Sequence, residues 1–390
     1  MTLNVLVIGA GMGGLTAALA LQKSGHRVQV VDRVPELRPV GAAISVWSNG
    51  VKILKALGVG DAIEQASGRM DVMAYHDQDG TPLTRFSLRP LYDDVGQRAC
   101  PIARATLQQV LLDAVGPANV TLGLACVGYQ VNDDGVTAEF ADGSTRRADL
   151  IVIADGTHSR LRERALGRAV ARRYCGYVNW NVRVAATPDL APLDQWVQYV
   201  GNRQRVSMMP MSGDPATPEF YCFFDVPLPI DTPNDPAGYR DELARHFAGW
   251  AEPVQRLLER FDPAAMARVE IHDIEPLETL IGERAAILGD AAHGMAPDLG
   301  QGGCQAMEDA WVLARTLEDA GDDVAAALRA YDRARVERVD EIVRRARQRA
   351  DTTHGADPAA TRAWYAELAE EDGTRIMGGM RKTILGGPLG

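Results

Sequence analysis

A glycine-rich stretch near the start of the chain, GAGMGG at positions 9–14, could bind a phosphate. It follows an apolar run over 4–8 and precedes a helical pattern over 15–23, while a second apolar run over 28–31 ends in Asp32. These glycines allow a tight turn, close approach of a pyrophosphate and close packing of helix on strand, and an acid such as Asp32 accepts hydrogen bonds from a ribose. The order predicts dinucleotide binding and leaves FAD and NAD both open.

Two later segments place an acid and a glycine directly after an apolar run. The first, ADLIVIADGTHSRLR, contains a predicted strand over 150–154 followed by Asp155, and the second, RAAILGDAAHGMAPDLGQGG, contains one over 285–288 followed by Gly289 and Asp290. In α/β folds, ligands bind at the carboxyl ends of the parallel strands. We therefore expect both acids to lie at the same edge as the glycine-rich turn.

The stretch around Asp290 contains five glycines in the fifteen residues 289–303, and a helical pattern follows it. We expect Gly300, Gly302 and Gly303 to let the backbone approach a bound cofactor, with the N-terminus of the helix facing it. We interpret His293, in the same loop, as a structural hydrogen-bonding residue rather than an acid or base. The helix should bury its apolar face, formed by Ala306, Ala310, Leu313 and Leu317.

The elements that hold these segments predict an α/β fold with a Rossmann-like dinucleotide-binding domain, a second β-sheet-rich substrate domain and C-terminal helices. The segments 72–99 and 176–275, inserted between the cofactor segments, have alternating apolar patterns and many prolines. Ligand sites favour domain interfaces, so we expect the substrate pocket between the two domains. We assign 1–71, 100–175 and 276–320 to the first domain, 72–99 and 176–275 to the second, and 321–390 to the helical region. That last region is interpreted as a scaffold, with Leu328, Tyr331, Val339 and Val343 buried.

Composition narrows the class of protein. The 390 residues are 46% hydrophobic and 24% charged, and the net charge of −11 argues against nucleic-acid binding. No apolar run spans a bilayer, and the N-terminus is typical of a core strand rather than a signal peptide, so we expect a cytoplasmic protein. The five cysteines form no CxxC pair, the seven histidines show no metal-ligand spacing, and no GxSxG elbow indicates a hydrolase.

The glycine fingerprint, the DG segment and the GD segment, in this order, resemble the class A flavoprotein monooxygenases, the group of para-hydroxybenzoate hydroxylase. The resemblance implies bound FAD, with Asp290 on its ribityl chain. It also places Arg104 of CPIARATLQ and Ser45 of GAAISVWSNG beside the cofactor. The candidate FAD-binding residues are Gly9, Gly11, Gly13, Gly14, Asp32, Arg33, Ser45, Arg104, Cys126, Asp155, Asp290, Gly300, Gln301, Gly302, Gly303 and Cys304.

The segments YVNWNVRV, RVSMMP, FYCFFDVPLP, IHDIEPL and APDLGQGGCQAMEDA resemble, more closely, the FAD-dependent urate hydroxylases. This resemblance implies conversion of urate, O2 and NAD(P)H to 5-hydroxyisourate through a flavin hydroperoxide. NADH or NADPH would bind only transiently, because no nicotinamide-binding fold remains unassigned. No nucleic acid or membrane partner is expected, and the oligomeric state stays open.

Four substrate-site residues follow from the same resemblance. It implies that Arg205 of RVSMMP binds and activates urate and is the catalytic residue, with Tyr221, Asp298 and Asn179 as further urate contacts. The chemistry is consistent, since a planar anion with amide-like edges suits a guanidinium fork, hydrogen-bond acceptors and a phenol. From spacing alone, Arg205 could be a solvated strand residue, Tyr221 a core aromatic and Asp298 a helix cap.

Two other functions stay open at this point. One is a class A hydroxylase acting on a phenolic acid, which differs in whether urate or a phenol stimulates NAD(P)H oxidation. The other is a flavin-binding sensor or carrier without turnover, which would show no substrate-stimulated oxygen uptake.

Overall fold

The structure is a computed structural model that describes residues 2–37, 42–132 and 135–390. Gly41, the first residue of the predicted cofactor-lining stretch, lies outside the described residues. The strands are β1 (Asn4–Ile8), β2 (Arg27–Val31), β3 (Ala43–Val46), β4 (Val72–Asp77), β5 (Pro82–Ser87), β6 (Cys100–Ala103), β7 (Val120–Thr121), β8 (Cys126–Asn132), β9 (Gly135–Phe140), β10 (Thr145–Ala148), β11 (Leu150–Ile153), β12 (Arg172–Ala185), β13 (Gln195–Gly201), β14 (Gln204–Pro210), β15 (Glu219–Pro227), β16 (Ala267–Ile274), β17 (Ile281–Gly282) and β18 (Ala285–Ile287).

The α-helices are α1 (Met12–Lys23), α2 (Ser48–Ala56), α3 (Gly60–Ala66), α4 (Arg89–Val95), α5 (Arg104–Val115), α6 (Arg160–Leu166), α7 (Tyr239–His246), α8 (Glu252–Arg260), α9 (Asp290–His293), α10 (Gly302–Ala320), α11 (Val324–His354), α12 (Pro358–Ala369) and α13 (Thr374–Leu385). Within the described part of the chain, none of these helices combines the length and apolar character needed to cross a bilayer.

A six-stranded sheet, in the order β17-β18-β11-β1-β2-β7, forms the core of the cofactor side. All its neighbouring strands are parallel except β17 and β18, and α1 packs against both α5 and α10. Strands buried on both faces read as continuous apolar runs, which is why the sequence marks β1, β11 and β18 so clearly. The predicted α/β, Rossmann-like fold is confirmed.

The glycine-rich turn after β1 needs glycine for steric reasons. Gly9 has φ +114°, and a Cβ there would lie 2.2 Å from the carbonyl oxygen of Ala154. A Cβ on Gly14 would lie 1.9 Å from the carbonyl oxygen of Gly9, whereas one on Gly11 would meet nothing within 4 Å. The turn is therefore packed from behind and open at Gly11, the geometry expected where a phosphate approaches the backbone.

A seven-stranded sheet, in the order β16-β12-β15-β14-β13-β4-β5, forms the second layer. One face is apolar and packs on α7 and α8. Alternation turns the other side chains to the opposite face, where several are polar yet buried. The apolar face includes Val178, Trp180, Val182, Val206, Met208, Cys222 and Phe224, and the polar face includes Asn179, Asn181, Gln198, Arg205, Ser207 and Asp225.

The second layer differs in two details from its sequence pattern. Its strand β12 already begins at Arg172, ahead of the expected boundary at 176, and the insertions contain helices as well as strands. Leu243, Phe247 and Leu257 on α7 and α8 enter the core of the sheet. A sheet with one apolar face needs such a cover, so the helices follow from the alternation itself.

Two long helices connect the layers. Helix α10 buries the apolar face predicted for it, and α11 buries the four predicted positions, Leu328, Tyr331, Val339 and Val343. The far end of α11 reaches β12 and β15 of the seven-stranded sheet. The C-terminal region thus contacts the substrate side directly, which its interpretation as a scaffold did not anticipate.

Candidate functional site

The carboxyl ends of four parallel strands gather the predicted cofactor acids at one edge. Gly9 follows β1, Asp32 follows β2, Asp155 comes after β11, and Asp290 comes after β18. The Asp290 side chain is exposed, so its carboxylate is available to a ligand. Arg33 is also exposed. At the start of β8, burial raises the pKa of the Cys126 thiol to about 11, and the nearby Asp155 adds to that shift.

Buried polar atoms without partners lie at this edge and fit a large polar cofactor. Among the described residues, no group hydrogen-bonds to Asp155 Oδ1 or to Thr157 Oγ1, although both atoms are buried. Burial raises the pKa of Asp155, while Ser159, Arg162 and Arg33 oppose that shift. Orphaned groups of this kind are rare in folded proteins and indicate a missing partner, here a role that FAD hydroxyls would fill.

Asp32 is already engaged by the backbone around the glycine turn. Its Oδ2 accepts from the Ala10 N–H at 2.7 Å and its Oδ1 accepts from the Val34 N–H at 3.0 Å. Both oxygens keep a second lone pair, so a ribose could still donate to them. Asp32 therefore also fixes the shape of the turn, a role that spacing alone did not reveal.

The glycine-rich loop before α10 packs against β3. Gly300 has φ +63°, and a Cβ there would lie 2.7 Å from Trp47 Nε1 and 2.8 Å from Ser45 Oγ. A Cβ on Gly303 would lie 2.5 Å from Ile44 Cδ1, whereas one on Gly302 would meet nothing closer than 3.8 Å. The structure thus gives protein packing as the reason for Gly300 and Gly303, and only Gly302 faces open space.

Two other predicted cofactor residues point their side chains into the protein. Cys304 is fully buried, and its sulfur accepts from the Trp47 N–H at 3.3 Å. The Gln301 oxygen accepts from Asn49 at 3.0 Å and from Gln305 at 3.1 Å. Any contact of Gln301 or Cys304 with a flavin would therefore use the backbone at the start of α10.

Asp309 on α10 hydrogen-bonds to the glycine-rich loop that precedes this helix. Its Oδ2 accepts from the Gly289 N–H at 2.9 Å and lies 2.6 Å from His293 Nε2. Burial alone would raise the pKa of Asp309, but His293 and Arg335 beside it lower that pKa to about 2. His293 is 2% exposed and has this structural contact, in agreement with its interpretation as a hydrogen-bonding residue.

Arg335 of α11 completes this group, which we call the Arg335 cluster: Glu308, Asp309, Arg335 and Arg338. Arg335 donates through Nε to Asp309 at 2.7 Å, through Nη1 to Glu308 at 2.7 Å and through Nη2 to Gln305 Oε1 at 2.8 Å. Arg338 also donates to Glu308. Two carboxylates thus meet two guanidinium groups inside the protein.

A second buried ionic group lies on the polar face of the seven-stranded sheet, around Arg205. Arg205 donates through Nε to Asp225 Oδ2 at 2.8 Å and through Nη2 to Asp298 Oδ1 at 3.1 Å. Its guanidinium carbon lies 5.3 Å from the centre of the Phe223 ring. Among the described residues, no hydrogen bond uses Arg205 Nη1, so one edge of the guanidinium remains for a ligand oxygen.

The charges of this group reinforce each other. Burial alone would lower the pKa of Arg205, but Asp225 and Asp298 raise it above its ordinary value. Burial alone would raise the pKa of Asp298, but the charge of Arg205, with His354 and Tyr177 beside it, holds that pKa well below its usual range. Arg205 is therefore a permanent cation and Asp298 a permanent anion at neutral pH.

Asn179 is linked into the same group from the side of the sheet. Its amide donates to Asp225 Oδ1 at 2.7 Å, and its oxygen accepts from Asn181 at 2.8 Å. The Asn181 oxygen accepts in turn from the Ala42 N–H at 2.9 Å, next to β3. This chain of hydrogen bonds connects the acid beside Arg205 to the cofactor-lining stretch.

Tyr221 lies on the same face, at the boundary between the two layers. Its ring packs against Phe223 at 5.4 Å and joins a small cluster with Ala43, Ala103 and Met211. Burial raises the pKa of Tyr221 to about 12, with the charge of Arg104 opposing the shift. The Arg104 Nε donates to the Ala43 carbonyl at 3.1 Å. Arg104, a predicted cofactor residue, and Tyr221, a predicted substrate residue, therefore both contact Ala43.

Tyr177 and His354 close the group around Arg205. Tyr177 donates to Asp298 Oδ2 at 2.6 Å, and the His354 ring stacks on Tyr177 with centroids 4.2 Å apart. We call Arg205, Asp225, Asp298, Tyr177 and His354 the Arg205 cluster.

The sequence analysis missed three members of the Arg205 cluster. Asp225 and Tyr177 carried a usable signal, because each lies two residues from a neighbour on the same strand face, Phe223 and Asn179 respectively. His354 carried none, since it arrives from a helix more than a hundred residues further along the chain. Asp298 precedes α10 but binds Tyr177 and Arg205 instead of capping that helix.

Known proteins match this chain over most or all of its length. A family model described as an FAD binding domain matches residues 2–346. The FAD-dependent urate hydroxylase of Klebsiella pneumoniae subsp. pneumoniae is 50% identical over 389 residues, covering 100% of both chains. That of Mycolicibacterium vanbaalenii is 48% identical over 390 residues, covering 99% of this chain and 98% of its own. The crystal structure of Klebsiella pneumoniae HpxO complexed with FAD and uric acid matches at TM-score 0.96 and 49% identity, covering 99% and 98%.

Proposed function

This chain belongs to the FAD-binding-domain family of flavoprotein monooxygenases, and from that premise we infer that it is an FAD-dependent urate hydroxylase. It converts urate, O2 and NAD(P)H to 5-hydroxyisourate. The observation that carries this function is the buried Arg205 cation on the polar sheet face, with Nη1 unused by the described residues and the cofactor edge beside it. A guanidinium presented in this way suits a planar anion with carbonyl edges.

We propose that Arg205 binds and orients urate. Its charge is permanent, and the low dielectric of a buried site strengthens its attraction for an anion. The two carboxylates and the Phe223 ring limit its rotamers, so little conformational entropy remains to be lost on binding. Holding urate at a fixed place and angle is the main contribution that a protein makes to such a reaction.

Tyr221 is proposed as a second urate contact. With its pKa raised to about 12, the phenol stays protonated at neutral pH and can donate to a carbonyl or accept from a ring N–H. Among the described residues, no hydrogen bond engages the Tyr221 hydroxyl. It lies between Phe223 and the strands β3 and β6, which supports a position between substrate and cofactor.

The roles of Asp298 and Asn179 are less direct in the observed contacts. Asp298 accepts from Arg205 and Tyr177, and Asn179 bridges Asp225 and Asn181. Direct contact of either residue with urate stays a prediction. The observed hydrogen bonds support a positioning role, in which Asp298 and Asn179 hold the Arg205 guanidinium and its acid partner in place.

FAD, reduced by NADH or NADPH, supplies the activated oxygen when bound. The residues present fit it: Gly11 is open, Asp155 has an unpartnered oxygen, Asp290 is exposed, and α10 directs its N-terminal N–H groups to the same edge. We propose that 72–99 and 176–275 form the substrate domain, which covers this edge and excludes water from the site.

The experiment that tests the function follows NADH and NADPH oxidation by the FAD-loaded protein with and without urate. Urate absorbance, oxygen and hydrogen peroxide are recorded together, and salicylate serves as the phenolic control. We expect urate to accelerate oxidation and to disappear in equal amount with the reductant, with little peroxide. Stimulation by salicylate alone would point to a phenolic acid, and the absence of any oxygen uptake would point to a carrier.

We also propose that the enzyme works in the cytoplasm. All five cysteines are free thiols, as is typical of a reducing compartment. Fractionation of the producing cells, with urate-dependent NADH oxidation as the assay, tests the location.

A further inference from the structure

His354 is a buried titratable residue of the Arg205 cluster to which neither the fold nor the proposed function gives a role. It is the last residue of α11 and only 2% exposed. A buried histidine usually has both ring nitrogens hydrogen-bonded, because an unpaired polar group inside a protein costs about 1–3 kcal/mol. Among the described residues, no hydrogen-bond partner contacts His354 Nε2.

The first ring nitrogen fixes the tautomer. His354 Nδ1 lies 2.8 Å from the Arg203 carbonyl oxygen, which can only accept, so Nδ1 carries a proton. Arg203 is itself held in place, since its N–H donates to the Tyr365 hydroxyl at 3.2 Å and its Nη1 donates to the Gly355 carbonyl at 2.8 Å. The turn that leads into Arg205 is therefore fastened to the end of α11 and to α12.

The second ring nitrogen faces the two acids that hold Arg205. His354 Nε2 lies 3.7 Å from Asp298 Oδ1 and 3.8 Å from Asp225 Oδ2. The ring plane is fixed by stacking on Tyr177. Since Nδ1 already carries a proton, a second proton on Nε2 makes the ring a cation directed at two carboxylates.

Counting charges gives a reason for that second proton. Arg205 meets two carboxylates, so the group carries one excess negative charge when His354 is neutral. Urate brings a further negative charge into the same buried space. An unbalanced buried charge is strongly unfavourable, and two of them would oppose the binding of an anion. With His354 protonated, the cluster is neutral before urate enters.

We propose that His354 is a positioning residue of the urate site, whose imidazolium shares Asp225 and Asp298 with Arg205 and so leaves the Nη1 edge of Arg205 to the urate anion. This proposal rests on the proposed function. It assigns a task to the C-terminal helix, which otherwise contributes no predicted site residue.

The proposal has a distinct dependence on pH. The groups that face His354 are Asp225 on β15, Asp298 before α10, Arg205 on β14 and Tyr177 on β12. The pKa of Asp298 is held low, whereas that of Arg205 and that of Tyr177 are raised, the latter by burial. Asp298 therefore stays an anion, Arg205 a cation and Tyr177 a neutral phenol around neutral pH. Under the proposal, urate binding weakens with rising pH when the second proton leaves the His354 ring.

The first test compares His354→Gln with His272→Gln in the FAD-loaded enzyme. His272 is the matched control, because it also has Nδ1 near a backbone carbonyl, at 3.0 Å from Glu270, and packs on a tyrosine, Tyr174. We expect H354Q to keep its FAD and its kcat within about threefold, while KM for urate rises about tenfold from the loss of one nearby charge. The rise of KM with pH that we expect for the unmutated enzyme should be absent in H354Q and present in H272Q.

A second measurement is made on the unmutated enzyme and uses a variant only to assign signals. Histidines labelled with 15N are observed by NMR in the FAD-loaded protein with urate and without reductant, with H272Q to help assignment. We expect both His354 nitrogens to be protonated near neutral pH with urate bound. An unprotonated Nε2 in that complex, or an unchanged KM and pH profile in H354Q, overturns the proposal. An enzyme that never consumes urate overturns the proposed function instead, so the two failures are distinguishable.

Discussion

Two of the buried ionic clusters among the described residues, the Arg335 cluster and the Arg205 cluster, are built differently. In the Arg335 cluster two carboxylates meet two guanidinium groups, and Arg335 uses Nε, Nη1 and Nη2. In the Arg205 cluster two carboxylates meet one guanidinium, and among the described residues nothing accepts from Arg205 Nη1. The first is complete within the protein, and the second has a free guanidinium edge and one more carboxylate than guanidinium.

This contrast separates a structural use of arginine from a binding one. Arg335 pairs with Asp309, the acid that holds Gly289 and His293, so its effect on the cofactor passes through the shape of the loop. Arg205 faces the boundary between the layers and keeps a donor edge for a ligand. Burial and ion pairing are alike in the two, so neither identifies a binding residue; the unused donors and the charge balance do.

The largest effect is expected from Arg335→Met. This change leaves Glu308 and Asp309 buried beside only one remaining guanidinium, and breaking such a pair costs about 3–5 kcal/mol. We expect a lower free energy of unfolding by urea and loss of bound FAD. Arg344→Met is the control, because Arg344 is exposed and its one ion pair among the described residues is with Asp340. Equal stability of R335M and R344M would contradict the structural role.

Arg205→Gln should instead act on turnover. We expect kcat/KM for urate to fall about 100- to 1000-fold, because an oriented cationic donor to the substrate is lost. FAD should stay bound, and the stability cost should be about 1–3 kcal/mol, since the new amide still donates to one carboxylate. Arg183→Gln, an exposed ion-pair variant on the same sheet, is the control. Full coupled activity in R205Q would remove Arg205 from the site.

Acid should weaken the Arg335 cluster in a defined direction. The folded-state pKa of Asp309, about 2, lies below its ordinary value of 3.8, so its contribution is complete above about pH 4 and is lost as the pH falls toward 2. We expect Asp309 to account for about 2 kcal/mol of the free energy of unfolding that is lost between those two pH values, measured by urea unfolding. In the Asp309→Asn variant the free energy of unfolding should depend less steeply on pH. An unchanged slope would show that Asp309 is not the group responsible.

The smallest effect is expected from Asp225→Asn. It makes the Arg205 cluster neutral without a proton on His354, but it also removes the acceptor for Arg205 Nε. We expect KM for urate to rise about fivefold and to depend less on pH than in the unmutated enzyme. Asp189→Asn, a half-exposed ion-pair variant of the same layer, should leave both unchanged. A steeper pH dependence in D225N would contradict the charge count.

Much of the fold could be predicted from the sequence, because it depends on short-range patterns of residues. The strands at Asn4–Ile8 and Ala285–Ile287 are apolar runs buried on both faces, and the glycine turn has steric requirements that few residues meet. Alternation likewise places Arg205 and Ser207 on one face of β14, and Tyr221 and Phe223 on one face of β15. It did not reveal that Arg205 pairs with Asp225, because register between strands depends on tertiary contacts.

The sequence by itself thus determined the cofactor edge and the fold class, since each depends on neighbours a few residues away, whereas Arg205 and Tyr221 became candidates through the resemblance of their segments to the urate hydroxylases. Only the tertiary structure decided which acids surround Arg205 and that His354 lies against them. Asp298 and His354 come from distant parts of the chain, and their charges act on Arg205 through space. Coulomb interactions depend on the distance between atoms and on burial, and neither quantity is written in the order of residues.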